Sequence, residues 1–474
     1  MRVSGWEIGS VRGHRIHRWR GVVALGAAVA TIAGGVLFAA APSYADTPVA
    51  TIPVGSIPES VVFSPDSATA YVGNTASNSV SVIDTATKAV TASIAVGNGP
   101  QGMAITPSGA RIYVANADSN SVSVISTATK AVIATIAVGA QPFGVAMSPD
   151  GSTVYVTDND GAEVSVIDTS SNTVSSDFPL GIQPAEAAVS PDGTRLYVTD
   201  YLDDALVVVN TVTNAVITTV TVGSGPIGIA LSPDGSIAYV ANSGTNTVSV
   251  INTTTNTVTG SIAVSSAPIM IAVAPDGKTT YVANSGSNSV SIIDTATNTV
   301  TRSVAVGAAP LAVAVAPDGT AVYVTNEGDN TVSVLPLVVL HPGPPARGTV
   351  GRSYNFTVPG VNGDTFTISA GTLPDGLTLD PATGVITGTP TEPGTSTFTV
   401  TATNVAGFSD SHAYTITVAA AAVVVPTGDG PELAVTGQDV PLGVPLGAVA
   451  ALGLGALLLV LRRRSRISPE PASH

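Results

Sequence analysis

Residues 222–258 read VGSGPIGIALSPDGSIAYVANSGTNTVSVINTTTNTV, and this stretch decides the fold. Short runs rich in apolar and β-branched residues alternate here with turns rich in Gly, Ser, Asn and Thr. Ser232-Pro233-Asp234-Gly235 carries Pro at the second position and Gly at the fourth, as type I turns prefer. Runs of this length bounded by such turns predict strands. The stretch therefore predicts three consecutive strands and the start of a fourth.

The same pattern returns every 42 residues along most of the chain. The spacing is marked by a tyrosine in the second predicted strand of each copy: Tyr71, Tyr113, Tyr155, Tyr197, Tyr239, Tyr281 and Tyr323. Prolines keep the same interval from Pro58 to Pro310. A period near 40 without helical patterning is typical of propeller blades built from four strands. Seven copies predict an all-β, seven-bladed β-propeller over residues 46–340.

Each copy also carries a short motif that points to a known family. Tyr-Val-x-Asn or Tyr-Val-x-Asp occurs in all seven copies, as in Tyr323-Val324-Thr325-Asn326. Over residues 48–340 the chain resembles the YVTN family of β-propeller repeats. The resemblance implies the propeller fold but leaves the activity open, because such propellers serve enzymes, binding proteins and surface layers alike.

The two ends of the repeat region predict how the ring closes. Residues 49–54 match the fourth strand of a copy, whereas the last copy ends at its third strand, residues 331–334. We therefore expect the N-terminal strand to complete the seventh blade, which leaves no open sheet edge at that point.

A second module follows at residues 341–418. Leu373-Pro374-Asp375-Gly376-Leu377 precedes Gly384-Val385-Ile386-Thr387-Gly388, and alternating strand-like sequence follows. These stretches resemble the Ig-like modules of bacterial surface proteins, which implies a small β-sandwich related to the cadherin group. Residues 419–432, rich in Ala, Val, Pro and Gly, are predicted to form a linker.

The N-terminus has the three parts of a secretory signal. Five arginines within residues 1–20 precede an apolar run over residues 21–41, and Ser43-Tyr44-Ala45 supplies small residues at the cleavage positions. Residues 1–45 are thus predicted to be a signal peptide, with a mature start near Asp46. The alternative is an uncleaved anchor, because the run is long enough to span a bilayer.

Residues 433–474 combine a pentapeptide, an apolar run of membrane length and a basic tail. The pentapeptide consists of Leu433, Ala434, Val435, Thr436 and Gly437. In this order the three parts resemble an LPxTG-type cell-wall sorting signal, with Ala434 giving the LAxTG variant. The resemblance implies that a sortase cleaves after Thr436 and links it to peptidoglycan on a Gram-positive-type cell. The chain would then contact the membrane only through the C-terminal transmembrane helix, and only until the sortase cleaves it. The alternative is that the apolar run is a plain membrane anchor.

Composition excludes several functions. The chain has no Cys and a net charge of −15, and residues 46–340 hold six Lys and Arg against twenty-two Asp and Glu. Nucleic acid is therefore not an expected partner, because phosphate binding depends on Lys and Arg. No His or Trp lies between residues 46 and 340. The propeller thus lacks an imidazole for general-base, haem or zinc chemistry, which argues against an enzyme.

Two copies depart from the others in loops predicted to share one face around the channel mouth. Phe143, Glu186 and Tyr201 are the unusual residues there and form a candidate ligand rim. The departures add six carboxylates: Asp158, Asp160, Glu163, Asp200, Asp203 and Asp204. Such hard oxygen ligands suit Ca²⁺ or Mg²⁺, so a metal site is predicted, with Ca²⁺ the one cofactor indicated. Ordinary drift on an acidic surface is the alternative.

The sequence favours a cell-wall-anchored, adhesin-like protein. In this interpretation the propeller binds an extracellular protein or glycan, and the Ig-like module is a spacer. Two alternatives remain open. One is a lactonase-like hydrolase that uses carboxylates and a divalent cation, and the other is a structural component of the surface coat.

Overall fold

The computed structural model describes residues 48, 50–340, 345–361, 363, 365–404 and 409–421. The predicted signal peptide, linker and sorting signal lie outside these residues, except for residues 419–421. In the described part no helix is long and apolar enough to cross a membrane. Two short 3-10 turns, Ala117–Ser119 and Ser285–Ser287, interrupt an otherwise all-strand architecture there.

Seven four-stranded antiparallel sheets form the propeller, and each is one blade. The inner strands, which surround the central channel, are β2 Pro58–Phe63, β6 Pro100–Ile105, β10 Pro142–Met147, β14 Pro184–Val189, β18 Pro226–Leu231, β22 Pro268–Val273 and β26 Pro310–Val315. The second strands are β3 Thr69–Asn74, β7 Arg111–Asn116, β11 Thr153–Asp158, β15 Arg195–Asp200, β19 Ile237–Asn242, β23 Thr279–Asn284 and β27 Ala321–Asn326.

The third strands are β4 Ser79–Asp84, β8 Ser121–Ser126, β12 Glu163–Asp168, β16 Ala205–Asn210, β20 Thr247–Asn252, β24 Ser289–Asp294 and β28 Thr331–Pro336. The outer strands are β5 Ala89–Ala95, β9 Ala131–Ala137, β13 Thr173–Pro179, β17 Val216–Thr221, β21 Thr257–Ala263, β25 Thr299–Ala305 and β1 Ala50–Pro53. Blade 7 alone takes its outer strand from the other end of the repeat region, so the predicted closure is confirmed. β1 pairs antiparallel with β28, with Ile52 opposite Val332.

The blades pack through apolar side chains shared between neighbours. In the middle strands, successive side chains point alternately to the interfaces with the two neighbouring blades. These strands are therefore buried on both faces, and valines and isoleucines fill most of their positions. The repeated tyrosine lies buried at the seam, and in blade 2 the Tyr113 hydroxyl donates a 2.8 Å hydrogen bond to Asn172 Oδ1 of blade 3. The 42-residue interval therefore corresponds to one interface between neighbouring blades per repeat.

The ring has two distinct faces. The upper face carries the loops between second and third strands and the connections from each blade to the next; the lower face carries the other turns. On the upper face six blades place an Asn or Asp in the left-handed conformation, where its side chain accepts a hydrogen bond from a backbone N–H of the following blade. At the closure this residue is Asn330, which accepts from Ile57 N at 2.9 Å.

The second module is a β-sandwich. One sheet has the order β30-β37-β36-β33 and another has the order β31-β35-β34. The strands are β29 Val339–Leu340, β30 Gly348–Thr349, β31 Tyr354–Thr357, β32 Gly360–Val361, β33 Thr365–Gly371, β34 Leu377–Leu379, β35 Val385–Gly388, β36 Gly394–Thr403 and β37 Ser409–Ala419. Asn404 Nδ2 donates to the Pro336 carbonyl at 3.0 Å, so the module is tied directly to the last strand of blade 7.

Candidate functional site in the propeller channel

The central channel contains a cavity of about 160 Å³. Its wall is built by the inner strands of all seven blades, including Gln101, Phe143, Met270 and Leu311. Two of the three predicted rim residues lie here: Phe143, the second residue of β10, and Glu186, the third residue of β14. Tyr201 lies in the loop after β15 and does not line the cavity. The structure therefore moves the candidate site from the rim into the channel.

A second channel carboxyl, Glu59, was not recognised from the sequence. Glu59 is the second residue of β2, and the equivalent residues in the next two blades are Gln101 and Phe143. Burial raises the pKa of Glu59 to about 8, and the charges of Glu327 and Asp118 add to this rise. Contacts with the Thr75 and Gln101 side chains partly offset the rise. Comparison of inner-strand positions at the 42-residue interval, rather than of loops alone, would have revealed this residue.

Glu186 lies on the other side of the channel, because blade 4 stands opposite blade 1 in a ring of seven. Burial raises the pKa of its carboxyl to about 7, although Glu186 Oε2 accepts a 3.2 Å hydrogen bond from the Ala187 N–H. Two acids thus line one channel cavity from opposed blades. Near neutral pH both carboxyls exchange protons readily, so each can donate or accept a hydrogen bond.

The carboxylates predicted as metal ligands are placed differently. Asp158 and Asp200 end β11 and β15, where both are buried. Asp158 Oδ2 accepts a 2.6 Å hydrogen bond from Ser165, and burial together with Glu163 raises the pKa of Asp158 to about 6. In blade 2 this position is Asn116, whose amide donates to Ser123 at 3.0 Å. Asp158 therefore occupies a scaffold position that belongs to the repeat.

The predicted ligands form pairs rather than one group, because Glu163 stands opposite Asp158 in the pairing of β11 with β12 and Asp203 lies beside Asp200. Asp204 is one of the left-handed upper-face residues and accepts a 2.9 Å hydrogen bond from Gly225 N. The Asp203 N–H donates a 3.4 Å hydrogen bond to Asp200 Oδ1, so the Asp200 carboxylate contacts the backbone of the loop that follows it. Across the described ranges, no three His, Cys, Asp or Glu side chains form a group that could hold a metal ion. Ca²⁺ binding by Asp158, Asp160, Glu163, Asp200, Asp203 and Asp204 stays a prediction from the sequence.

The upper face has a strongly one-sided charge. Acidic side chains on it include Asp118, Asp160, Asp203, Glu327 and Asp329, besides the two channel carboxyls. The six Lys and Arg of the propeller lie on the lower face or on an outer strand: Lys88, Arg111, Lys130, Arg195, Lys278 and Arg302. Among the propeller residues that the structure describes, the charged side chains around the mouth of the channel are therefore acidic.

Comparisons with known proteins agree with this architecture. Residues 21–160 match the family described as "YNCE-like beta-propeller", and residues 152–269 and 186–338 match "Lactonase, 7-bladed beta-propeller". Residues 336–419 match the family described as "Putative Ig domain". A solved structure titled "Kuenenia stuttgartiensis Hydrazine Synthase" is similar to this chain at 26% identity and a TM-score of 0.55. That likeness covers 64% of this chain and 99% of the other. No curated protein matches.

Proposed function

We propose that this protein is a cell-wall-anchored binding protein whose propeller takes a small ligand into the central channel. One observation carries the proposal: two carboxyl groups, Glu59 and Glu186, line the same channel cavity from opposed blades. Phe143, Met270 and Leu311 supply an apolar wall beside them. A concave, mostly apolar site with a few convergent polar groups is the usual form of a small-molecule site. The ligand would be a fragment of an extracellular glycan or protein, or a free metabolite.

A hydrolase is the second candidate, favoured by the match of residues 152–338 to a lactonase propeller family. In such an enzyme Glu59 or Glu186 would be the general acid or base, because a carboxyl with a pKa near 7 suits either role. Binding is preferred because the cavity lining contains no His, Lys or Arg beside the carboxyls that would stabilise a developing oxyanion.

Filling the cavity tests the channel as the binding site. Met270→Trp is expected to abolish binding of any channel ligand, because the indole would occupy most of a space of about 160 Å³. The purified full-length protein is screened by thermal shift against glycan fragments, amino acids, amines and lactones, and binding is then measured by calorimetry. Val212→Trp is the matched control, since Val212 is 86% exposed on blade 4. A ligand that binds wild type and Met270→Trp equally would place the site elsewhere, and a screen without any ligand would contradict the proposal.

The anchoring half of the proposal rests on the pentapeptide at residues 433–437. Thr436→Ala is expected to abolish attachment to the wall, because the sortase acyl intermediate forms at the threonine carbonyl. Mass spectrometry of muramidase-released protein should then find Thr436 as the last residue of wild type, joined to a cross-bridge peptide. Val435→Ala changes the variable position of the motif and should leave attachment intact. Recovery of residues 462–474 in the mature surface protein would instead show a plain membrane anchor.

A further inference from the structure

Among the described residues that line the channel cavity, the charged side chains are the carboxyls Glu59 and Glu186. The charges of Glu327, in the loop after β27, and of Asp118, in the 3-10 turn after β7, also act on Glu59, and the neutral Thr75 and Gln101 side chains lie beside it. Glu186 meets the backbone N–H of Ala187. Neither Lys nor Arg lines the cavity. Bringing ionised carboxylates together in a buried space is unfavourable unless they take up protons or a positive charge balances them, so a cationic ligand is what would stabilise the ionised pair.

The size and the wall of the cavity limit the ligand further. A volume of about 160 Å³ lies below the range of pockets for drug-sized molecules, so only a compact ligand enters. Phe143, Met270 and Leu311 make part of the lining apolar, which favours a ligand that carries an apolar portion. An aromatic ring also attracts an organic cation through its quadrupole.

We propose that the channel ligand is a compact organic cation, an ammonium group on a short apolar chain, held between Glu59 and Glu186 with its chain against Phe143 and Met270. This inference rests on the proposed function, since it names the class of ligand for that site. A positive nitrogen in the cavity faces a carboxyl from two sides and supplies the charge that the lining lacks. A divalent cation suits the site less, because it takes about six or more oxygen ligands, and besides the two carboxyls only Ser60 and Gln101 bring polar side chains to the lining.

Binding of such a cation is coupled to proton release. At pH 7 Glu59, with a pKa of about 8, is mostly protonated, and Glu186, with a pKa of about 7, is half protonated. A bound cation favours the ionised form of both carboxyls, so protons leave as the ligand enters. Affinity therefore rises with pH, and we expect binding at pH 8.5 to be at least about tenfold tighter than at pH 6.

The test uses n-butylammonium as the probe, n-butanol as its neutral counterpart and CaCl₂ as the divalent arm. Calorimetry on the full-length protein is run at pH 6, 7 and 8.5, and at pH 7 in two buffers of different ionisation enthalpy to count released protons. We expect n-butylammonium to bind with proton release and n-butanol to bind at least about tenfold more weakly. The Glu59→Gln, Glu186→Gln double variant should lose at least tenfold in affinity for n-butylammonium.

Asp177→Asn with Glu392→Gln is the matched control, because it removes the same charge from exposed positions outside the channel. This control should bind like wild type. Equal binding of n-butanol, a double variant that binds like wild type, or stabilisation by Ca²⁺ alone would overturn the cation class. A neutral or anionic molecule that binds and is displaced by Met270→Trp would also overturn it, yet would leave the channel as the binding site. Absence of binding by every probe, together with an empty screen, would overturn both proposals.

Discussion

Deletion of residues 46–55 is expected to lower the melting temperature of the propeller by on the order of 15 °C, or to cause aggregation. The deletion removes β1, whose residues pair with four residues of β28, and it removes Ile52, which is 2% exposed. Ile52 packs in one cluster with Phe63, Tyr323 and Val332, at the seam between blades 7 and 1. Without β1 this cluster opens and β28 becomes an unpaired edge. Thermal unfolding of wild type and the truncated protein measures the loss.

Two point variants separate loss of packing from mere truncation. Ile52→Asp places a charge in the apolar cluster and should destabilise the protein nearly as much as the deletion does. Thr51→Asp places the same charge on the exposed side of the same strand and should change the melting temperature little. The closure is unimportant to stability if the truncated protein melts within a few degrees of wild type.

The stability of the propeller is expected to fall as the pH rises from about 4.5 to about 8. Folding raises the pKa of Glu59 from 4.5 to about 8 and that of Glu186 from 4.5 to about 7. Between these values the folded state binds more protons than the unfolded state, so each rise in pH favours unfolding. The penalty is largest above pH 8, where both carboxyls are ionised, and we expect it to lower the melting temperature by on the order of 10 °C.

Melting temperatures at half-unit steps from pH 4.5 to 8.5 measure this slope. Glu59→Gln with Glu186→Gln should remove most of it and should raise the melting temperature at pH 8, because neutral amides replace buried acids. Glu392→Gln, at an exposed position of the Ig-like module, should leave the slope unchanged. A melting temperature that is level or rises across this range in wild type would show that the channel carboxyls are not held in their neutral form.

Much of the fold could be predicted because the same pattern of strands and turns recurs in seven copies. The tyrosine interval reflects the interface between blades. Residues 49–54 match a fourth strand and the last copy ends at its third strand, residues 331–334, which indicates how the ring closes. The seven sheets and the pairing of β1 with β28 confirm these expectations. Both follow from periodic patterns that local sequence determines.

The candidate site was harder to predict because each inner strand begins with an irregular register. In blade 1 the pairing shifts between Pro58 and Ser60, and the other inner strands shift at the equivalent place. A bulge interrupts the two-residue alternation of side chains, so the alternation within one strand does not show which residue enters the channel, and only comparison of the copies at the 42-residue interval does. Glu59 was missed for this reason. The surroundings of Asp158 were also hard to predict, because the sequence suggests a loop carboxylate whereas the structure buries Asp158 at the end of β11.

The pairing of β1 with β28 also determines the order in which the protein folds. Blades 1 to 6 each form from contiguous hairpins, so their contacts are local and fast to make. The pair that joins Ala50 to Val334 spans nearly the whole repeat region and has to form last. Until β28 has been synthesised the ring is open, and its two ends are exposed and prone to associate with other chains. Nascent chains arrested before residue 331 should therefore be held by chaperones and remain sensitive to proteases, and resistance should begin only with the completed seventh blade.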